Sequence, residues 1–241
     1  TIYLNCWFYL LITFNLFSQY TDTTKTIIDK TKIQIKLSDG KHKFYQYNYR
    51  ASIISFKEVL AIDNDNAKAN FGIAQCEYAM KNFNKAKDYA IKAYYTNKEV
   101  DPDILYLMGN IYHRIGELKL AEEFISKFKA GAKESTIKEY DVDLILSQIK
   151  YATTATNENN NAKITNMGDN INTSAPEFAP CISQDGNFMV FTSRRANTKG
   201  GAIDINFDHM YYTDIYLCEW DDYLKQWGEH RNTLGKVNTE Y

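Results

Sequence analysis

The apolar positions of this chain follow one rhythm up to about residue 155 and another beyond it. From Lys25 to Ala155 they return every three to four residues, which predicts amphipathic helices. Breaks fall at Tyr47-Asn48, Lys81-Asn82 and Ile115-Gly116, two of them without Pro or Gly. After the polar stretch Thr-Thr-Ala-Thr-Asn-Glu-Asn-Asn-Asn at 153–161 the pattern turns to strands. Strands are expected over 188–193 and 214–220, with 162–166 as a short third. The first is entered through a tight turn at Gln184-Asp185-Gly186-Asn187, and a Gly-rich loop from Ala196 to Tyr212 joins it to the second.

The N-terminus differs from both halves. Residues Cys6 to Phe17 are almost wholly apolar, and the first charge is Asp22. About a dozen apolar residues are too few to span a bilayer, which takes about 20. The run suits a secretory signal peptide over residues 1–18, with Ser18 placing cleavage before Gln19. No integral membrane span is expected after cleavage. The resulting organisation is a signal peptide (1–18), helical repeats with a capping helix (25–155), a linker (156–163) and a β region (164–241).

The helical half repeats. Tyr49, Phe83 and Leu118 share one position, 34 and 35 residues apart. Three residues on stand the small Ser52, Ala86 and Ala121, then Phe56, Ala90 and Ile125, then Val59, Ala93 and Phe128. Twelve residues before each small residue stand Gly40, Ala74 and Gly109. Such spacing fits a pair of antiparallel helices per repeat, with small residues where two helices cross closely.

On these residues the segment from about 33 to 133 resembles three tetratricopeptide repeats. Leu-Met-Gly-Asn-Ile-Tyr at 107–112, Gly116, Leu118 and Ala121 match that motif best. The first repeat is the weakest, because Asp39-Gly40 falls inside its first helix. A helix from about Glu134 to Thr153, carrying Tyr140, Val142, Leu144, Ile145, Ile149 and Tyr151, is expected to cap the array. The resemblance implies a concave face from the first helix of each pair. Here it would carry Phe71, Gln75, Tyr78, Tyr106, Asn110 and His113 and bind a partner protein or peptide.

Pro180-Cys181-Ile182-Ser183-Gln184-Asp185-Gly186, followed by the strand to Ser193-Arg194-Arg195, resembles the blade signature of TolB-type β-propellers. Its matching positions are Asp185, Gly186, Ser193 and Arg194, joined by Asp214 and Tyr216 of Asp-Ile-Tyr. Gln184 stands where the signature has proline. Met167-Gly168 and Asn172-Thr173 recur as Leu234-Gly235 and Asn238-Thr239, at offsets of 67 and 66 residues. The sequence therefore holds about one blade and the start of another, and a propeller takes at least four. The expected fold is an α-solenoid followed by an incomplete antiparallel β region. Over the whole chain the order of motifs is similar to Bacteroidota cell-envelope proteins with a signal peptide, tetratricopeptide repeats, a TolB-like propeller and an OmpA-like peptidoglycan-binding domain. That resemblance implies a non-catalytic scaffold, periplasmic and associated with the outer membrane, that binds other envelope proteins. It leaves open a cytosolic tetratricopeptide adaptor or the propeller region of a peptidase.

Composition narrows the chemistry. With 28 basic and 30 acidic residues the chain is not a cationic nucleic-acid binder. Residues 1–150 carry 21 basic and 18 acidic groups, and the rest 7 and 12. Cys76, Cys181 and Cys218 sit among apolar neighbours and read as small buried residues, with a Cys181–Cys218 bridge as the alternative. No P-loop, dinucleotide fingerprint, zincin motif or nucleophile elbow is found, so no catalytic residue, metal or cofactor is assigned. Asp204, Asp208 and Asp214 offer a loop that could hold calcium, against a solvated loop. Arg194-Arg195 is read as bracing an acidic neighbour, and Trp220 and Trp227 as packing anchors.

Overall fold

The computed structural model describes residues 26–155, 163–232 and 237–239. The signal peptide, nearly all of the linker and the Gly235 echo lie outside them. Two compact units lie on either side of Glu158–Asn159. No described helix is long and apolar enough to cross a membrane.

The first unit is an array of helical hairpins. Residues 26–45 form α1. It is followed by α2 (Tyr49–Ile62), α3 (Ala67–Ala79), α4 (Phe83–Thr96), α5 (Ile104–Arg114) and α6 (Leu118–Gly131). The second helix of every pair has 14 residues and starts at the repeated Tyr, Phe or Leu. Close crossings fall where the small residues stand. A Cβ on Gly40 would lie 2.7 Å from the Phe56 ring, and one on Gly109 would lie 2.5 Å from Ile125. Ala74, Ala86, Ala90, Ala93 and Ala121 are buried. In the first pair polar bonds assist packing: the Ser52 hydroxyl donates to Gly40 O at 2.7 Å, and Ser55 and Lys43 both donate to Asp39. Asp39-Gly40 therefore sits inside a helix without ending it.

The breaks inside the pairs share one backbone solution. Tyr47, Lys81 and Gly116 all have positive φ, at 60°, 63° and 82°. Beside each, a main-chain N–H reaches back to close the helix end: Asn48 to Lys43 O, Asn82 to Glu77 O and Glu117 to Tyr112 O, at 3.0, 2.8 and 2.9 Å. This is the left-handed cap that glycine favours. Only the third repeat uses glycine, so Tyr47 and Lys81 carry the cost of a Cβ there, about 1 kcal/mol. Lys81→Gly is expected to raise stability by about 0.5–1 kcal/mol in urea denaturation followed at 222 nm, whereas Gly116→Ala lowers it by a similar amount.

The expected single capping helix is two, α7 (Glu134–Glu139) and α8 (Val142–Ala155). Tyr140 turns inward between them, and Asp141 takes φ 49°. The Tyr140 ring lies 4.7 Å from Tyr106 and stacks on Phe128 at 5.9 Å, which wins over helical continuity. Val142 and Ile149 are buried as a cap requires, but Leu144 and Tyr151 face solvent.

The second unit is a four-stranded antiparallel meander in the order β1-β2-β3-β4. Its strands are β1 (Glu177–Ile182), β2 (Phe188–Ser193), β3 (Asp214–Asp221) and β4 (Gln226–Trp227). The anticipated strand at 162–166 is not formed by its described residues 163–166, where Ile164 is 97% exposed and pairs with no described strand. The edge strand is β1 instead, and it tolerates Pro180 because an edge residue need not donate. A bulge between Phe178 and Cys181, with Ala179 at φ 53°, shifts its register. It leaves Cys181 exposed rather than buried. Because β2 separates β1 from β3, Cys181 and Cys218 lie about 10 Å apart across the sheet, beyond disulfide reach. The core of this unit gathers Ile171, Met189, Phe191, Tyr216, Cys218 and Trp227 on one face, with Trp220 edge-on to Trp227 at 5.3 Å.

Candidate functional site

The groove in the helical unit is built by the first helix of each pair. One stripe of α1, at Gln34, Leu37, Ser38, Lys41, Phe44 and Tyr45, forms a wall of a cavity of about 490 Å³. Those positions recur at three- and four-residue steps and so share a helix face. Lys68, Phe71, Gly72 and Gln75 of α3 form the opposite wall, and Phe56 reaches the floor. A second cavity of about 230 Å³ continues along Gln75, Tyr78, Tyr106, Asn110 and Tyr140. The two share Phe44, Gln75 and Asp103.

Five of the six residues expected on the concave face line these cavities. His113 lines neither; it is half-buried, and burial together with Arg114 lowers its pKa. The five are not equivalent. Phe71 is 6% exposed and belongs to the core. Tyr78 packs on Phe83 at 5.5 Å. Tyr106 packs against both Tyr140 and Phe128, and its hydroxyl donates to Tyr140 O at 3.3 Å. The Asn110 amide donates to Tyr106 O of its own helix. Gln75 makes no side-chain hydrogen bond among the described residues and points at the junction of the two cavities.

Charge is divided along the groove. Lys41 and Lys68 stand on the α1 and α3 walls, Asp101 and Asp103 at the start of α5. Burial raises the Asp103 carboxyl, opposed by the hydrogen bond it accepts from the Tyr140 hydroxyl at 3.0 Å. Burial and that same bond push the Tyr140 phenol up to about 12. Near neutral pH the phenol therefore stays a donor and fixes this end of the groove. The chemistry on offer is an aromatic floor with a polar rim, suited to holding a chain. The α1 wall and Asp103 do not figure among the groove residues inferred from sequence, and Tyr140 is inferred only as part of the cap. The three- and four-residue stripe of α1 would have shown its half.

In the β unit the signature residues hold the sheet and its long loop. Asp185 accepts from Ser183 Oγ and from the N–H of Asn187, which shapes the turn around Gly186 (φ 77°). Arg194 makes two bonds to Asp208, at 2.6 and 3.0 Å, and donates to Tyr211 O and Met210 O. Asp214, 4% exposed, accepts from the Lys199 N–H at 2.6 Å and from Asn232 at 2.7 Å. The fully buried Tyr216 donates to Asn197 at 3.0 Å and lies under the Arg195 guanidinium at 4.7 Å. Ser193 donates to Glu177 and accepts from Arg195. The calcium reading is not supported by these partners. Asp204 closes its own turn, Asp208 meets Arg194 and Asp214 meets Asn232. Among the described residues no three His, Cys, Asp or Glu side chains are grouped to hold a metal.

No family model matches the chain, and no curated protein matches it. Among solved structures it is similar to the type III secretion chaperone SycD of Yersinia enterocolitica in complex with a peptide of the translocator YopD. That likeness has 18% identity and a TM-score of 0.44, over 50% of this chain and 93% of that one. The first TPR of Spaghetti (RPAP3) bound to an HSP90 peptide is similar at 17% identity and TM-score 0.44, over 52% and 94%. A type III secretion complex from Aeromonas hydrophila is similar at 18% and 0.45, over 52% and 84%. Likeness of this degree carries no functional weight, so the functional reading rests on the groove itself.

Proposed function

We propose that the chain is a non-catalytic protein-interaction scaffold whose helical groove holds an extended segment of a partner protein. The observation that carries this is the pair of adjoining cavities along α1, α3 and α5, with an aromatic floor and the unengaged Gln75 amide at their junction. An extended peptide offers main-chain groups to such an amide and apolar side chains to such a floor. The β unit is read as one blade of a TolB-like propeller, supported by its meander order and by the tandem echo of its opening segment. The apolar run before Ser18 supports export, and with it a periplasmic, outer-membrane-associated place among other envelope proteins.

The test is capture from a membrane-enriched lysate with the full chain as bait, beside a Gln75→Arg variant. Arginine at 75 crowds the groove without entering the helical core. Partners retained by the wild-type chain should be reduced about tenfold by the variant, the loss typical of a disrupted central contact. Equal retention by both baits would sink the groove reading. Mass spectrometry of the chain recovered from cells tests export separately. A mature N-terminus at Gln19 is expected, and a cytosolic chain that still carries residues 1–18 would favour the adaptor alternative.

A further inference from the structure

Two asparagine pairs in the β unit share one internal bond. In the later pair the Asn238 side-chain amide donates to Asn232 Oδ1. In the earlier pair the Asn172 amide donates to Asn166 Oδ1 at 2.9 Å. Both pairs span six residues and stand 66 residues apart; Asn172 and Asn238 belong to the echoed segments, and Asn166 and Asn232 stand just before them. The echo is thus one of side-chain geometry as well as of sequence.

The later pair holds a strand. Asn238 Oδ1 accepts the N–H of Ile215 at 2.9 Å while its Nδ2 donates to Ile215 O at 2.8 Å. One amide therefore satisfies both main-chain groups of a β3 residue, as a neighbouring strand would. Asn232 adds bonds to Asp214 Oδ2 at 2.7 Å and to Asn197 O at 3.0 Å, and Lys199 reaches Asn238 O at 3.1 Å. Asn238 is 5% exposed. The segment that opens the second echo is in this way fastened to β3 of the unit before it. The earlier pair has the same internal bond, but among the described residues neither of its side chains bonds to a strand. Asn166 Oδ1 accepts only from Asn172 and from the Gly168 N–H at 2.8 Å.

We propose that Asn166 and Asn172 form a docking clamp for β3 of a further β unit of this same kind. Asn172 takes both main-chain groups at the position equivalent to Ile215, and Asn166 takes the carboxylate equivalent to Asp214. The proposal rests on the β half being one of a repeated series. Phe178 and Phe188, 45% and 43% exposed on one face of the sheet, provide apolar area that such a unit would cover. Within this chain β3 is already held by Asn232 and Asn238, so a second copy finds no vacant acceptor.

Vacating the acceptor gives the test. The full chain carrying Asn232→Ala and Asn238→Ala is examined by sedimentation velocity at about 50 µM. It should shift from monomer to dimer and larger species, because clamp and acceptor are different surfaces and associate head to tail. Adding Asn166→Ala and Asn172→Ala should return it to monomer. Since Asn238 is buried, Asn238→Ser is run in parallel as a milder vacancy, with tryptophan emission reporting an intact sheet. Absence of a shift in both vacated chains overturns the clamp. A shift that persists without Asn166 and Asn172 also overturns it, while leaving the repeated-unit reading in place. Neither result touches the groove, which is read out by partner capture with the Gln75→Arg variant.

Discussion

Phe56→Ala is expected to destabilise the helical unit by about 4 kcal/mol, the middle of the range for a buried aromatic truncated to alanine. Phe56 is 5% exposed and serves two helices at once. Its ring is close enough that a Cβ on Gly40 of α1 would fall 2.7 Å from it, and one on Gly72 of α3 would fall 2.4 Å away. Neither glycine can relax into the space an alanine would leave, since neither has a side chain to move. The cavity therefore stays, and its cost adds to the lost burial. Because the ring also reaches the floor of the groove, truncation loosens the α1 wall that carries Lys41, Phe44 and Tyr45. Urea denaturation at 222 nm should show the loss, and limited proteolysis should cut α1 before α5 or α6. Phe56→Leu should cost less than Phe56→Ala, because it leaves a smaller cavity. A loss below about 1 kcal/mol for Phe56→Ala would remove Phe56 from its place as the wedge between the first two pairs.

The same pairing explains what could be read from the chain beforehand. Gly40 with Phe56 and Gly109 with Ile125 are small-large couples sixteen residues apart, and a helical hairpin brings such positions together whatever surrounds them. That made the repeat, its period and its hairpins legible. The break at Tyr140–Asp141 was not legible, because the apolar pattern runs on through it. What ends the helix is contact with Tyr106 and Asp103, 34 and 37 residues earlier. Strand β1 was hidden for a local reason, since Pro180 and the positive φ of Ala179 argue against a strand until an edge and a bulge are supplied. Of the groove, α3 and α5 were legible through the best-matching repeats. The α1 wall was not, because Asp39-Gly40 weakens the repeat it belongs to. The arginines show a further limit. A bracing role could be assigned to Arg194-Arg195, but not their partners, because Asp208 and Glu177 lie 14 residues on and 18 residues back.

Those partners set the second large effect. Arg195→Met is expected to destabilise the β unit by about 3 kcal/mol at pH 7, as when one member of a buried ion pair is removed. Arg195 is 5% exposed, donates to Ile171 O at 2.9 Å, to Ser193 at 2.9 Å and to Glu177 at 3.3 Å, and covers the Tyr216 and Phe191 rings. Methionine keeps the length and the ring contact but leaves Glu177 without its cation. The effect carries a pH signature. Burial pushes the Glu177 carboxyl up, but bonds from Thr173 and Ser193 together with the Arg195 charge outweigh it, so its folded pKa lies below the ordinary 4.5. A carboxylate lowered by folding contributes stability above its unfolded pKa and loses it as pH falls through the folded one. Asp208 behaves alike: burial raises it and the Arg194 pair with the Met210 N–H more than offsets this. The wild-type sheet should therefore lose stability as pH drops below about 4.5. In Arg195→Met the Glu177 pKa moves up toward its unfolded value, so acid removes less stability from the variant than from the wild type. The gap between the two proteins then narrows in acid, because a protonated Glu177 no longer needs a cation. Unfolding curves from pH 7 to pH 3, read by tryptophan emission because α1–α8 hold no tryptophan and two of the chain's three, Trp220 and Trp227, lie in the sheet, measure both quantities. A gap that stays constant across that range would show that Arg195 stabilises the sheet by packing on the two rings and not by its charge on Glu177.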